Sequence, residues 1–440
     1  MPDIRPFRAL RYDPETVGAL DAVVAPPYDV IDADLARRLL DRHPRNVVRV
    51  DLPLEAAGED ADERYRRAAR TFATWRSDGT LRKDPRPSVY VYEQTYRVPG
   101  SDQERTQRGF FARLRLEPLE PGSGVLPHER TMTGPKEDRY RLLRATGANT
   151  SAVAALFEDA GAVGARVLAE TAGHAPAVAV VDDDGVTHRL WLLPAAGADA
   201  PSGAAEALIA AASAGPVVIA DGHHRYETAL RYRDERRMTR SCEEDPAFDY
   251  VLALLLPADE ALTVLPTHRV VRGLGDAGVE RLVASLDTVF QVEPAAAEEL
   301  VARFAAVDAP GGRGRFGLLT RRGAYALRWR PDALADALPP GSDALRGLDV
   351  IRLGAALQAL AGIDAAAVSA GDRVGYTKSA AEAARAVASG TEGGDVAFLL
   401  EPTPVSAVLA VAHAGEAMPQ KSTYFYPKAL TGLVLNPHEW

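Results

Sequence analysis

The sequence predicts an α+β fold of two or three domains, and three observations support this prediction. β-branched apolar runs and helical apolar spacings both recur along the chain, without the regular strand–helix alternation of an α/β fold. The chain has 440 residues, more than a single hydrophobic core normally serves. Hydrophobic residues make up 47% and charged residues 25%, as in ordinary globular proteins. We expect an N-terminal α/β segment over residues 1–105, a core over 106–260 and a C-terminal α/β lobe over 261–440.

The charge balance, the cysteine count and the apolar runs exclude several classes of protein. A net charge of −10 makes the chain a poor general nucleic-acid binder. No apolar run is long enough to span a bilayer, and the first residues lack the apolar centre of a secretory signal. One cysteine, Cys242, excludes an intrachain disulfide framework and fits a reducing compartment. We therefore expect a cytoplasmic protein whose partners are neither membranes nor nucleic acids.

The N-terminal segment predicts a rigid turn, two helices and a hairpin that crosses into the core. Pro26 and Pro27 disfavour a helix and fix an extended turn beside Asp29, a candidate polar contact. Apolar residues at helical spacing predict helices over residues 32–42 and 62–75. Two β-rich runs, over residues 88–96 and 109–116, flank a polar loop and predict the hairpin.

The core segment predicts further strands and helices that lead to one buried strand. Pro135 can begin a helix that extends to about residue 147. Strands are expected over residues 177–181 and 187–193, and a helix over 204–212. The apolar run over residues 217–220 then predicts a buried strand that stops at an Asp-Gly turn.

The sequence of the C-terminal lobe predicts a similar mixture of strands and helices. The glycine-rich loop 310–314 interrupts them, and the aperiodic segment 415–428 follows them. Because loops carry binding residues disproportionately, we expect the 415–428 segment to contact a ligand. The predicted strands cover residues 250–256, 262–266, 315–319, 324–329 and 397–400, and the predicted helices cover 278–286, 295–304, 344–360 and 379–388.

The strongest candidate site is the turn Asp221-Gly222-His223-His224-Arg225, which follows the buried strand and opens a helix. Free backbone N–H groups and the positive end of the helix dipole make such a turn an anion site. Arg225 would bind a phosphate, and His223 or His224 would donate to its oxygen or transfer a proton. The alternative is structural: Asp221 caps the helix, and the two histidines are satisfied side chains.

A second candidate lies in the proline-bounded loop that carries His128 and Glu129, with Lys136 and Arg139 nearby. A glutamate among several cations is normally ionised and can act as a general base towards a hydroxyl nucleophile. The alternative is a solvated loop whose surface ion pairs contribute little.

Other candidates are weaker because a structural role explains each of them nearly as well. His268 follows a predicted strand and would line the same cleft, while Lys421, Ser422, Thr423 and Lys428 of the C-terminal segment would contact an anionic ligand. We predict no metal site made by the protein alone, because HExxH spacing and cysteine pairs are absent. Magnesium held by Asp221 or Glu129 together with substrate phosphates remains a candidate cofactor.

Several short motifs occur together and in order along nearly the whole chain. The motifs are Ala25-Pro26-Pro27-Tyr28-Asp29-Val30, His128-Glu129 with Thr131, Lys136-Glu137-Asp138-Arg139, Asp221-Gly222-His223-His224-Arg225, and Met418-Pro419-Gln420-Lys421-Ser422-Thr423 through Pro427-Lys428. With them, the sequence resembles domain-of-unknown-function family 1015.

That family looks related to the ParB/sulfiredoxin-like fold, which includes free-serine kinases. The resemblance implies that Glu129 of Pro127-His128-Glu129 is a catalytic glutamate and that the Asp221–Arg225 turn, including Gly222, binds nucleotide phosphates. It implies a nucleotide-dependent kinase acting on a small hydroxyl compound, with a serine-like metabolite as one candidate.

Our hypothesis is phosphoryl transfer from a nucleoside di- or triphosphate to a small-molecule hydroxyl, with Glu129, His128 and Asp221 as catalytic candidates. Glu129 would accept the hydroxyl proton, and Asp221 would position magnesium or substrate. Two alternatives remain open: a non-catalytic nucleotide-binding regulator on a ParB-like fold, and a phosphate-ester hydrolase that uses the same cleft.

Overall fold

The fold is described from a computed structural model. The described residues are 1–55, 58, 60, 62–130, 134–196, 203–239, 244–259, 261–307, 313–389 and 393–440. Thr131, Cys242 and residues 310–312, which the sequence analysis mentions, lie outside this set. No helix of the described residues has both the length and the apolar character needed to cross a membrane.

The larger layer is a mixed sheet that counts nine strands within the described residues. Numbered in chain order, its strands are β1 (Ile4–Arg5), β4 (Ser88–Arg97), β5 (Glu104–Arg115), β6 (Val125–Pro127), β8 (Val153–Phe157), β9 (Val178–Val181), β10 (Thr187–Pro194), β11 (Val217–Asp221) and β12 (Tyr250–Pro257). Their order is β6-β11-β8-β12-β5-β4-β10-β9, with β1 beside β5. The pairs β6–β11 and β8–β12 are parallel, and the other pairs are antiparallel.

A second sheet is formed by later residues and counts six strands within the described part of the chain. Its strands are β14 (His268–Arg272), β15 (Phe290–Ala295), β16 (Arg315–Thr320), β17 (Gly323–Trp329), β18 (Val374–Thr377) and β19 (Gly394–Leu400), in the order β15-β17-β16-β19-β14-β18. Three small two-stranded sheets join β2 (Leu10–Tyr12) to β3 (Leu81–Lys83), β7 (Ala148–Asn149) to β21 (Asn436–Pro437), and β13 (Thr263–Leu265) to β20 (Tyr424–Tyr426).

Helices surround the two sheets. They are α1 (Pro14–Val17), α2 (Ala33–Arg42), α3 (Val48–Asp51), α4 (Glu63–Ser77), α5 (Gly134–Thr146), α6 (Val163–Ala172), α7 (Ala204–Ala212), α8 (His223–Thr239), α9 (Gly275–Ser285), α10 (Ala297–Ala305), α11 (Asp343–Arg346), α12 (Asp349–Ala361), α13 (Ala365–Ala370), α14 (Ala380–Ser389) and α15 (Val405–His413). Asp32 caps α2, because its carboxylate accepts the Leu35 backbone N–H at 2.8 Å.

Side chains of β11 alternate between two hydrophobic cores. Val217 and Ile219 pack in the core that contains Ala229 of α8. Val218 and Ala220 belong to the core on the other face of the sheet, which also contains residues of the second sheet such as Phe398. Because successive residues of a strand point to opposite faces, a run that is apolar throughout fits a strand covered on both sides. The end of β11 therefore lies where α8 and the second sheet approach each other.

The mixed α and β architecture is confirmed, including the hairpin of β4 and β5 and the strand–turn–helix of β11 and α8. The single helix expected over residues 344–360 is wrong, because α11 ends at Arg346 and α12 begins at Asp349. Leu348 between them has extended backbone angles and is buried, so its packing overrides the helical spacing. The domain boundary expected at residue 105 falls inside β5.

Candidate functional site

The Asp221–Arg225 turn joins the buried strand β11 to helix α8. Gly222 occupies the left-handed region with φ +87°, and a Cβ atom there would lie 2.8 Å from the Nε atom of Arg225. Glycine is thus required both by the backbone conformation and by the close approach of the guanidinium group. The sharp turn lets α8 begin immediately at His223, so its N-terminal N–H groups face the end of the sheet.

Asp221 holds two cations at this helix terminus. One carboxylate oxygen accepts a hydrogen bond from Arg225, and the other accepts one from Lys428. Arg225 also donates to the backbone carbonyl oxygen of Ala152. Burial alone would raise the pKa of the Asp221 carboxyl, but the charges of Lys428 and Arg225 outweigh it and hold this pKa well below its usual value. Asp221 is therefore ionised and fixes the position of both cations.

The two histidines of the turn have pKa values below that of a free imidazole. For His223 the main cause is burial, followed by its neighbour His128, and for His224 it is burial followed by Lys136. The Nε2 atom of His223 accepts the backbone N–H of His128 at 3.4 Å, so the neutral ring carries its proton on Nδ1. Near pH 7 the turn thus presents neutral imidazoles beside charged Arg225.

His128 connects three segments and is almost fully buried. Its Nδ1 donates to the carbonyl oxygen of Ile219 in β11, and its Nε2 accepts from the hydroxyl of Thr423 at 2.8 Å. Its ring centroid lies 4.7 Å from that of His223. These contacts hold the loop that carries Glu129 against the Asp221–Arg225 turn.

Glu129 lies beside the C-terminal segment. Its Oε1 atom accepts the backbone N–H of Lys421 at 2.5 Å, and Lys421 itself has a left-handed φ of 58°. The backbone N–H of Met418 donates to His128 at 2.8 Å, and that of Arg130 donates to Met418 at 3.0 Å. The segment predicted to contact a ligand therefore forms one structure with the glutamate loop.

One cleft of about 1330 Å³ brings these parts together. Among the described residues that line it, seven are Lys or Arg and four are Asp or Glu, in a chain whose net charge is −10. An excess of cations in a concave site concentrates anionic ligands there. The charged lining residues are Asp29, Glu129, Arg130, Asp221, Arg225, Arg272, Lys378, Glu382, Arg385, Lys421 and Lys428.

The cleft includes most of the residues that the sequence singled out. Besides Glu129 and the whole Asp221–Arg225 turn, it is lined by Asp29, Lys421, Thr423 and Lys428. The carboxylate of Asp29 lies 3.9 Å from the ammonium group of Lys428.

Five predicted residues are not among the described lining residues. Lys136 forms an ion pair with Glu227 of α8. Arg139 donates to the carbonyl oxygen of Asp51 at 2.6 Å and lies 4.1 Å from the ring centroid of Tyr28, so it supports a residue that does line the cleft.

The remaining three have other contacts. Ser422 is buried and donates to the carbonyl oxygen of Pro419 at 2.5 Å. His268 is fully buried and accepts the Leu400 N–H at 3.1 Å, which indicates a structural role in the second sheet instead of the cleft position expected for it. His128 acts through the contacts already described.

A protein-family model described as "Protein of unknown function (DUF1015)" matches residues 4–351. The chain belongs to the DUF1015 family. A search among curated proteins finds no match. Among solved structures, a conserved hypothetical protein from Pyrococcus furiosus is 14% identical with a TM-score of 0.34, over 69% of this chain and 87% of the other.

Two further solved structures have similar scores. A mutant free serine kinase in complex with ADP is 13% identical with a TM-score of 0.36, over 75% of this chain and 90% of the other. C-terminally truncated SbnI from Staphylococcus aureus is 12% identical with a TM-score of 0.36, over 71% of this chain and 85% of the other.

The sequence analysis missed one wall of the cleft, formed by β14, β18 and α14 of this DUF1015 protein. This wall carries Arg272, Tyr376, Lys378 and Arg385. Arg272, Tyr376 and Arg385 occur in ordinary strand or helix patterns, and Lys378 lies between β18 and α14. Only the packing of the second sheet brings them into the same cleft as the Asp221–Arg225 turn. No local signal could have identified them.

The described residues contain no group of three or more His, Cys, Asp or Glu side chains placed to hold a metal ion. Both carboxylate oxygens of Asp221 are already paired with cations, so Asp221 does not fit the role of a magnesium ligand in this arrangement. Magnesium can also bind through a single carboxylate and substrate phosphates, and Glu129 and Asp29 are the cleft carboxylates that suit this mode.

Proposed function

We propose that this protein is a nucleotide-dependent phosphotransferase that moves a phosphoryl group from a nucleoside di- or triphosphate to a small-molecule hydroxyl. One observation carries the proposal: a single cleft holds the carboxylate of Glu129 together with the N-terminus of α8, where Asp221 pairs with Arg225 of that helix and with Lys428 of the C-terminal segment. A proton acceptor and a phosphate cradle are the two parts that this reaction requires.

The phosphate end of the site consists of the N–H groups of the first turn of α8, Arg225 and Lys428. Backbone N–H groups at a helix N-terminus and a guanidinium group are favourable partners for phosphate oxygens. Asp221 keeps both cations in place before the nucleotide binds, so little reorganisation is needed. Magnesium, where required, would arrive with the nucleotide phosphates.

At the other end, Glu129 would accept the proton of the acceptor hydroxyl. The hydroxyl oxygen attacks the terminal phosphorus, the bond from that phosphorus to the bridging oxygen breaks, and the shortened nucleotide leaves with the electron pair. The Lys421 N–H and the buried His128 orient the glutamate side chain and its loop. Catalysis would rest mainly on positioning and on charge stabilisation.

We also propose that residues 106–260 follow the ParB/sulfiredoxin-like arrangement that the motif resemblance implies, with the C-terminal lobe closing the cleft. An experimental structure with bound nucleotide tests both points. Nucleotide phosphates against Gly222 would support the proposal, whereas a nucleotide bound outside the cleft would refute it.

The decisive experiment incubates the full chain with ATP or ADP and pooled small hydroxyl compounds, and searches for a phosphorylated product by mass spectrometry. We expect a product whose formation falls by about 10²- to 10⁴-fold in Glu129→Gln, with nucleotide binding retained. Glu170→Gln, an exposed change on α6, is the matched control and should leave turnover unchanged.

Three results would overturn the proposal or its parts. Nucleotide binding without any product favours the non-catalytic regulator. Release of free phosphate without an acceptor favours the phosphate-ester hydrolase. Full turnover by Glu129→Gln removes that residue as the base.

A further inference from the structure

The wall of the cleft formed by β14, β18 and α14, which we call the second-sheet wall, has no role in the site as proposed so far. The cleft measures about 1330 Å³. Sites for one small molecule usually measure about 300–1,000 Å³. The cleft therefore has room for a second ligand beside a nucleotide.

Lys378 places a positive charge on this wall. Its ammonium group lies 4.1 Å from the ring centroid of Tyr424, and the ammonium group of Lys428 lies 4.9 Å from the same centroid. Burial, and then the charge of Lys428, lowers the pKa of Lys378. The negative charge of an anion bound between the two lysines would offset both effects and raise the pKa of Lys378.

Arg272 and Arg385 add two further cations to the second-sheet wall. The guanidinium of Arg272 lies against Gly375 of β18, where a Cβ atom would be 2.7 Å from its Nη2 atom. Among the described lining residues of this wall, Glu382 is the acidic one, and its carboxylate accepts a hydrogen bond of 2.5 Å from the Thr377 hydroxyl. Three cations and one carboxylate therefore line this wall of the cleft.

The second-sheet wall is linked to the proposed base. Arg269 of β14 lies 4.7 Å from the ring centroid of Tyr376, which lines the cleft. The same guanidinium donates to the carbonyl oxygen of Lys421 at 3.2 Å, and the Lys421 N–H donates to Glu129. Arg269 and Lys421 therefore connect the second-sheet wall to Glu129.

We propose that the second-sheet wall is the acceptor subsite and that the acceptor is a hydroxyl compound carrying an anionic group, either a phosphate or a carboxylate. This inference rests on the proposed phosphotransferase function. Arg272, Lys378 and Arg385 hold the anionic group, since guanidinium and ammonium groups form charge-assisted hydrogen bonds with both anions. The hydroxyl of the same molecule then points to Glu129, and the nucleotide phosphates occupy the Asp221–Arg225 turn.

Calorimetric titration of the full chain tests this without requiring turnover. The probes are glycerol 3-phosphate, glycerate and uncharged glycerol, each added to protein saturated with ADP so that the nucleotide phosphate site is filled. We expect at least one of the two anionic probes to bind about tenfold or more tightly than glycerol. Which anion binds better distinguishes a phosphate acceptor from a carboxylate acceptor.

The double variant Lys378→Gln/Arg385→Gln should weaken the anionic probe by about tenfold while changing ADP affinity less than about twofold. Arg166→Gln, an exposed change on α6, is the control for lost positive charge and should change neither affinity. Equal binding of charged and uncharged probes, or no effect of the double variant, would overturn this inference and leave the proposed function standing. Failure of the unaltered chain to bind ADP would overturn the proposed function and, with it, this inference.

Discussion

The side-chain amide of Gln94 donates a hydrogen bond of 3.0 Å to the backbone carbonyl oxygen of Lys428. Gln94 is itself held by Gln107, whose Nε2 donates to its Oε1 at 2.8 Å. Close by, the hydroxyl of Tyr92 accepts the backbone N–H of Leu430 at 3.2 Å. The central hairpin of β4 and β5 thus fixes the C-terminal segment that brings Lys428 to Asp221, a residue 207 positions earlier in the chain.

Replacing Gln94 with leucine should therefore weaken nucleotide binding through Lys428. We expect a loss of affinity of about three- to tenfold, since the neutral hydrogen bond that positions Lys428 is removed, and a larger loss in Lys428→Met, which removes the charge itself. Affinity for ADP measured by calorimetry checks both. Gln103→Leu, in an exposed loop, is the control. A Gln94→Leu protein that is less stable but binds ADP normally would show that Gln94 acts only in folding.

Gly222→Ala should lower both stability and ADP affinity, whereas the same change at another left-handed glycine should lower stability alone. Gly185 has a similar φ of +76° but open space around its Cβ position, whereas at Gly222 the new methyl group meets Arg225. Both variants should lose about 1–2 kcal/mol of stability from backbone strain. Only Gly222→Ala should also weaken ADP binding, because Arg225 must move. Equal ADP affinities of the two variants would contradict the role given to this turn.

We predict that titration of His268 makes the stability of the protein depend on pH. Burial lowers its pKa from 6.5 to about 4 in the folded state. As the pH falls, His268 of the unfolded chain binds a proton before His268 of the folded chain does. It therefore contributes stability that is present above pH 6.5 and is lost as the pH falls towards 4. The loss is about 3 kcal/mol in all.

Urea denaturation across this pH range checks the prediction. His268→Asn, which keeps an acceptor for the Leu400 N–H, should make the profile less steep between pH 6.5 and 4, whereas the exposed change His174→Asn should leave it as it is. Parallel profiles for the unaltered chain and His268→Asn would show that His268 does not titrate in this way.

We predict that Arg113, which is not among the described lining residues of the cleft, stabilises the fold. This buried residue of β5 donates to Asn436 Oδ1 and to the carbonyl oxygens of Pro437 and Glu439, each at 2.7 Å. Arg113→Met should destabilise the fold by about 1–3 kcal/mol for each acceptor that water cannot reach afterwards. Urea denaturation provides the measurement, with Arg166→Met as the exposed control. A change of less than about 0.5 kcal/mol, as for ordinary surface substitutions, would contradict this role.

Local patterns allowed much of the fold to be predicted. The β4–β5 hairpin, helix α2 and the Asp221–Arg225 turn each depend on neighbouring residues, and each is present. The short strands β6 and β8 were not predicted. β8 has only five residues and gains its stability from β11 and β12 on either side, so its own sequence carries a weak signal.

By itself, the sequence determined the mixed α and β class, the strand–turn–helix at Asp221–Arg225 and the loop that carries Glu129, because turn and strand signals act over a few residues. The tertiary structure alone decided that Lys428 pairs with Asp221, that His128 and Lys421 hold the Glu129 loop, and that the second sheet adds a cationic wall. These contacts join residues far apart in the chain, and their energy depends on burial and on charges that only the packed sheets bring together.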